Sequence, residues 1–267
     1  MSEEHTNGYV DAAGARLFYQ VEGPTDAPVV LFSNSLGTDL RMWNEQARAF
    51  AGRFRVVRYD SRGHGRSDAP QGPYTLDLLA RDALTLLDSL GVARADVCGL
   101  SLGGMIALWL AAHHPERVRR AVFADTAAKI GNEARWASRI GAVRAGGMRA
   151  IRDAVVSGFL SEPFRARRPD VARAVGDMLE GTPAEGYVAT CEALRQADLR
   201  DTLSRITTPA LIIVGSRDES TPPAQARELC DAIAGSRLAI LDGAAHLANV
   251  EQADAFNAHA LAFLGEP

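Results

Sequence analysis

The stretch DVCGLSLGGMIALWLAAHHPERV (residues 96–118) decides how the chain is read. Its first five residues make a short apolar run suited to a buried strand, and from Leu102 it continues with the length and composition of a helix. Ser101 falls at the turn between them, inside Gly99-Leu100-Ser101-Leu102-Gly103, a G-x-S-x-G sequence. A strand that passes into a helix through one residue forces that residue into a strained conformation. Side chains two positions before and after it would collide with the neighbouring strand and helix, and glycine at 99 and 103 removes the collision. The spacing therefore predicts a serine hydroxyl standing above the end of a sheet. The helix N-terminus behind it would aim free N–H groups at any negative charge that develops there.

The same rhythm of strand, turn and helix repeats on either side of this stretch. VVLFSN (29–34), RVVRYD (55–60), RAVFADT (120–126), ALIIVG (210–215) and RLAILDG (237–243) are short, apolar and rich in β-branched residues. Near-continuous apolar strands alternating with helices predict a parallel sheet covered on both faces. Residues 9–23 read instead as a hairpin turning near Ala13-Gly14, which adds an antiparallel edge. The expected fold class is α/β, a mostly parallel sheet of about eight strands. From Asp125 to Thr208 the strand rhythm stops and the pattern is helical, broken by glycines and prolines. Residues 126–208 are thus expected to form an all-helical cap inserted into a core made of 1–125 and 209–267.

Composition fits one large domain with an insertion. With 267 residues, 47% of them hydrophobic, the chain can bury a sizeable core. The longest apolar runs, such as MIALWLAA (105–112), fall well short of the roughly eighteen residues that span a bilayer. MSEEHTNGYV at the start lacks the basic and apolar parts of a secretory signal, so a cytoplasmic protein without membrane partners is expected. Cys98, Cys191 and Cys230 show no CxxC or Cys/His spacing, which argues for reduced thiols and against zinc. A net charge of -4 without a basic tail argues against nucleic acid as a partner. The oligomeric state is left open, a homo-oligomer included.

Ser-Leu-Gly occurs at Ser35, Ser89 and Ser101, and context separates the three. Ser89 lies in the last turn of a predicted helix, 75–91, that begins behind a Thr75 cap and ends at Gly91. Ser101 needs a base and a carboxylate later in the chain, in the order serine, acid, histidine. His5 lies in a tail, His64 in a tight loop that precedes the serine, His113 and His114 at a helix end and His259 within a helix. His246 follows the last predicted strand at its carboxyl end, where open α/β sheets place their sites. Asp218, in the loop SRDESTPP, suits the order of the acid, with Glu219 and Asp125 as rivals. An oxyanion hole would take one N–H from Leu102, the residue after the serine, and one from the loop after VVLFSN, at Leu36. Ser35 would then supply only small size.

These segments together resemble the α/β-hydrolase family over nearly the whole chain: the hairpin, DSRGHGRSD, GLSLGG, the helical cap, GSRDESTP and GAAHLANVEQ. One departure is Asn34-Ser35, where most relatives carry His-Gly. FSNSLGTDLRMW, GLSLGGMIALWLA and HLANVEQADAFN look like one subgroup, the 3-oxoadipate enol-lactonases of bacterial aromatic catabolism. The resemblance implies a serine esterase opening a small anionic enol lactone, with no metal and no cofactor. Other triad hydrolases (carboxylesterase, carbon–carbon hydrolase, perhydrolase) and a non-catalytic ligand receptor stand as alternatives. An anionic substrate asks for cations above the serine. From 129 to 152 the basic residues are Lys129, Arg135, Arg139, Arg144, Arg149 and Arg152, and the acid within the span is Glu133. Arg135 and Arg139 share a helical face with Trp136 beside them, which makes these three the candidate substrate contacts. A solvated basic face is the competing reading.

Overall fold

The computed structural model describes residues 3–266. A hairpin opens it: β1 (Glu3–Ala12) pairs antiparallel with β2 (Ala15–Pro24), Ala12 opposite Ala15. The two turn residues, Ala13 and Gly14, take φ of 42° and 82°. Positive φ at both centres is what the twist of a two-residue hairpin asks for. The strands that follow are β3 (Val29–Ser33), β4 (Arg55–Tyr59), β5 (Ala95–Leu100), β6 (Val118–Ala124), β7 (Ala210–Gly215) and β8 (Arg237–Leu241). They form one sheet in the order β1-β2-β4-β3-β5-β6-β7-β8. β2 runs antiparallel to β4, and every pairing from β4 to β8 is parallel. The sheet is mixed, mostly parallel and eight-stranded, as expected.

Helices cover both faces. α1 (Asn44–Phe50), α2 (Leu76–Ser89) and α3 (Leu102–His113) connect the first strands. Thr75 caps α2, its hydroxyl accepting from Leu78 N at 3.1 Å, and Gly91 lies just past the end at φ 67°. Leu79, Ala83, Leu86 and Leu87 make its buried stripe, each leucine contributing on the order of 1.5–3 kcal/mol of hydrophobic stabilisation. Ser89 Oγ donates to Leu86 O at 2.8 Å, a contact within the last turn of the helix. α3 is buried on every side from Leu102 to Ala112, as its uniformly apolar sequence requires.

Between β6 and β7 run α4 (Glu133–Gly146), α5 (Arg152–Phe159), α6 (Glu162–Arg167), α7 (Pro169–Gly181) and α8 (Ala184–Gln196), with no strand among the described residues. After β7 comes α9 (Pro223–Ala232), and after β8 come α10 (Ala248–Glu251) and α11 (Ala253–Leu264). No helix of the described residues is long and apolar enough to cross a membrane. Because β3, β5, β6, β7 and β8 are parallel, the residues that follow them gather along one edge of the sheet.

Candidate active site

Ser101 sits between β5 and α3 at φ 57° and ψ -113°, a strained conformation of the kind stored at functional sites. Its N–H donates to Ala124 O at 3.0 Å, and its carbonyl accepts from the Thr126 hydroxyl at 2.7 Å. The glycine spacing has the cause expected of it. A Cβ on Gly99 would lie 2.0 Å from Gly103 O, and one on Gly103 would lie 2.0 Å from Ser33 O. No side chain fits at either position.

His246, in the loop after β8, is buried and places Nδ1 2.8 Å from Asp218 Oδ2. That carboxylate also accepts from the Thr221 hydroxyl at 2.6 Å through Oδ2 and from the N–H groups of Ser220 and Thr221, at 2.8 and 3.0 Å, through Oδ1. Burial pushes the Asp218 carboxyl up, but the pull of His246 and the Thr221 donors outweighs it and holds the group below its ordinary range. An ionised Asp218 keeps the imidazole proton on Nδ1 and leaves Nε2 as the acceptor. Ser101 and His246 line one small cavity together with Ser35 and Leu36.

The rivals do other things. Glu219 is exposed. Asp125, just past β6 at φ 41°, is fully buried and accepts from Gly215 N at 2.8 Å through Oδ1. Burial and the charge of neighbouring Asp218 push its carboxyl well above the ordinary range, the opposite direction to Asp218. His64 is buried, with Nδ1 3.1 Å from Arg62 O, and burial pushes it down to about 4. His5 and His259 are exposed, and His113 Nδ1 lies 2.9 Å from the Trp109 carbonyl.

Leu36 and Leu102 are both buried, and among the described residues neither backbone N–H meets an acceptor. The loop that carries Leu36 is pinned to the elbow by Asn34: its carbonyl accepts from Gly103 N at 3.0 Å and its side chain donates to Tyr59 O at 2.7 Å. Ser35 Oγ is buried at the cavity wall without a protein partner.

The six basic residues between 129 and 152 separate by partner. Lys129 pairs with Asp198, Arg149 and Arg152 pair with Glu180, and Arg144 is exposed. Arg135 and Arg139 line the Ser101 cavity, and neither meets a carboxylate among the described residues. Arg135 touches Ser220 O and Oγ at 3.4 and 3.3 Å, and Arg139 donates to the Tyr187 hydroxyl at 3.0 Å. Burial, with the charge of Arg139, lowers the affinity of Arg135 for its proton. Trp136 also lines the cavity, its Nε1 donating to Ile130 O at 2.8 Å and its ring 5.5 Å from the Arg135 guanidinium. Phe159, Tyr187, Thr221 and Ser220 complete the surroundings; no local sequence signal marked them. A larger groove of about 760 Å³ lies elsewhere, along Met42, Phe164, Met178 and Glu251, and shares no residue with this cavity.

A parallel sheet with an elbow serine and a buried His–Asp pair at its carboxyl edge defines an α/β hydrolase. The chain belongs to that family: the family model described as the alpha/beta hydrolase fold matches residues 28–253. It is 41% identical to 3-oxoadipate enol-lactonase 2 of Acinetobacter baylyi, over 95% of this chain and 94% of that protein. The crystal structure of the enol-lactonase from Burkholderia xenovorans superposes with a TM-score of 0.95 at 44% identity, covering 97% of this chain and 100% of that one. A Variovorax paradoxus protein named as a candidate carbamate hydrolase, RutD, is 32% identical over 93% of this chain and 96% of its own length.

Proposed function

We propose that the chain hydrolyses a small anionic enol lactone, 3-oxoadipate enol-lactone, to 3-oxoadipate. The observation that carries this reading is the pair of guanidinium groups, Arg135 and Arg139, that line the Ser101 cavity and, among the described residues, form no ion pair with a carboxylate. Two like charges on one half-buried face are costly unless an anion joins them. The substrate's free carboxylate supplies that anion, and the names of the similar enol-lactonases agree with it.

Ser101 Oγ attacks the lactone carbonyl carbon while His246 Nε2 takes its proton. The oxyanion is held by the Leu36 and Leu102 amides, an effect typically worth on the order of 10² to 10³ in rate per donor. Collapse breaks the ring C–O bond and releases an enolate, which takes the proton from His246 and becomes the ketone, leaving the imidazole neutral again. Because an enolate leaves readily, little general-acid help is needed. Water, deprotonated by His246, then cleaves the acyl-enzyme and regenerates Ser101. Asp218 stabilises the imidazolium at both steps without taking its proton.

The cavity holds about 50 Å³ of free space, and a water's share of liquid volume is about 30 Å³. Side chains of α4, α5 and α8 line the cavity. A carbamate anion would satisfy the same two arginines, and the RutD-named relative makes it the second substrate to try. A covalent serine probe should label Ser101, and enol lactone should turn over many times per labelled site. Binding with no more than about one turnover per site would sink the enzyme reading in favour of a receptor.

A further inference from the structure

One carboxylate outside the catalytic set joins three parts of the molecule. Glu251 ends α10, and its Oε1 accepts from the backbone N–H of Ser161 at 2.6 Å and from that of Ala245 at 3.1 Å. Its Oε2 accepts from the Ser161 hydroxyl at 2.6 Å. Ser161 is the corner between α5 and α6 in the insertion, and Ala245 directly precedes His246. On the other side of the histidine, Leu247 N–H donates to Phe159 O at 2.9 Å. The Phe159 ring lies against the imidazole, with centroids 5.3 Å apart and planes at 32°. Residues 245, 246 and 247 are thus each engaged by residues 159–161, directly or through Glu251.

Glu251 is itself anchored to the core. Two residues before it, the fully buried Asn249 donates through Nδ2 to Met42 O at 2.9 Å and to Gln46 Oε1 at 3.2 Å. Gln46 Nε2 returns hydrogen bonds to Asn249 O and Asn257 Oδ1, both at 3.0 Å. α10 is therefore a post fixed to α1 and α11, and Glu251 is its outer end.

We propose that Glu251 is a positioning residue for His246, clamping the 245–247 loop to the 159–161 corner so that the helical insertion and Asp218 together set the place of the imidazole. This rests on the reading of His246 as the base. The bond to Asp218 fixes one ring nitrogen and leaves the ring free to pivot about it. Proton transfer needs Nε2 within roughly 2.6–3.2 Å of its partner, a tolerance that a pivoting ring exceeds. The carboxylate bonds on one side and the Phe159 contacts on the other remove that pivot. It follows that the 159–161 corner stays in place during turnover, and that the cavity opens through α4 and α8, which carry Trp136, Arg139 and Tyr187.

The test compares Glu251→Leu, which keeps bulk but no acceptor, with Glu251→Gln. The amide oxygen of glutamine can take both backbone N–H bonds, and the Ser161 hydroxyl can turn to accept from its NH₂. A neutral aryl ester serves as substrate, and rates are counted per titrated serine. Glu251→Leu should lower kcat about ten- to a hundredfold with KM within about twofold, and Glu251→Gln should stay within about threefold of the parent. The acid limb of kcat/KM should move in Glu251→Leu and not in Glu251→Gln, which a loss of stability alone would not produce. Should Glu251→Leu fail to fold, Ser161→Ala, which removes one of the three bonds, should show the same split at smaller size. Unchanged kcat per titrated site in the leucine or alanine variant overturns the proposal, as does a glutamine variant as slow as leucine. Ser101→Ala with the same substrate, its rate counted per mole of folded protein, separates the layers: if it stays active the catalytic reading falls. If it is dead while the Glu251 and Ser161 variants match the parent, only the clamp falls.

Discussion

Replacing Asp218 and Asp125 by asparagine, one at a time, should give opposite results, although the two side chains are buried neighbours of the same size. Asp218 Oδ1 faces two backbone N–H groups, so an asparagine there must keep its oxygen on that side. Its NH₂ then points at Thr221 Oγ1 and His246 Nδ1, where Oδ2 now accepts at 2.6 and 2.8 Å. The threonine hydroxyl can turn, but the imidazole has to accept at Nδ1 and so carries its proton on Nε2, where the base is needed. The loss should be about 10⁴ in kcat, the size seen when a triad acid is made an amide, or about 5.4 kcal/mol at 1.36 kcal/mol per tenfold. Burial and the Asp218 charge push the Asp125 carboxyl up, toward the protonated form that an amide imitates. Asp125→Asn keeps an oxygen for Gly215 N and replaces a carboxyl shifted toward its protonated form by a neutral amide, so kcat should stay within about threefold. The measurement is kcat on a neutral aryl ester for each variant, with melting curves to confirm folding. A crippled Asp125→Asn beside an active Asp218→Asn would move the acid to β6 and refute the assignment.

Ser101→Ala should lower turnover by on the order of 10⁶ while the protein melts as before, and retained activity would remove the nucleophile. Arg139→Ala should raise KM for the anionic lactone at least about tenfold more than for a neutral ester, one charged hydrogen bond being worth about 1.5–3 kcal/mol; equal effects would return this arginine to a packing role. His64 supplies a pH signature of the fold. Its folded value of about 4 lies below the ordinary 6.5, so the unfolded chain binds the proton more tightly between those values. Its contribution is complete above pH 6.5 and is lost as pH falls toward 4, by roughly 3 kcal/mol at about 1.36 kcal/mol per pH unit. Asp60 and Asp96, both raised to about 6 by burial, act in the opposite sense over the same range. Urea unfolding at pH 7 and pH 4 should therefore show the gap between parent and His64→Gln shrinking by about 3 kcal/mol at the lower pH, and a constant gap would contradict the buried neutral imidazole.

What could be read from the sequence was what local chemistry dictates. Glycine at 99 and 103 is required by contacts within one strand-turn-helix unit, and the hairpin turn at Ala13-Gly14 is equally local. The order of Ser101, Asp218 and His246 follows the order of the strands that carry them, so the pair at 2.8 Å was legible although its members lie 28 residues apart. The insertion was legible only as helices. Which of its cations face the cavity depends on where Asp198 and Glu180 fall, since these neutralise Lys129, Arg149 and Arg152 and leave Arg135 and Arg139 to the site. Phe159 and Tyr187 reach the cavity through the packing of α5 and α8, for which a sequence window holds no signal. The closeness of Asp125 to Asp218 comes from the pairing of β6 with β7, and through it the Asp218 charge helps push the Asp125 carboxyl up.

The measurement that tests the central claim most directly is steady-state hydrolysis of 3-oxoadipate enol-lactone beside a neutral aryl ester by the unmodified protein. The proposed capture of the substrate carboxylate by two guanidinium groups predicts a kcat/KM for the lactone at least about a hundredfold higher, at roughly 1.5–3 kcal/mol per charged hydrogen bond. An advantage that shrinks as salt rises would carry the electrostatic part of the claim. Equal specificity constants, or a lactone left unopened by a protein that hydrolyses the ester, would contradict it.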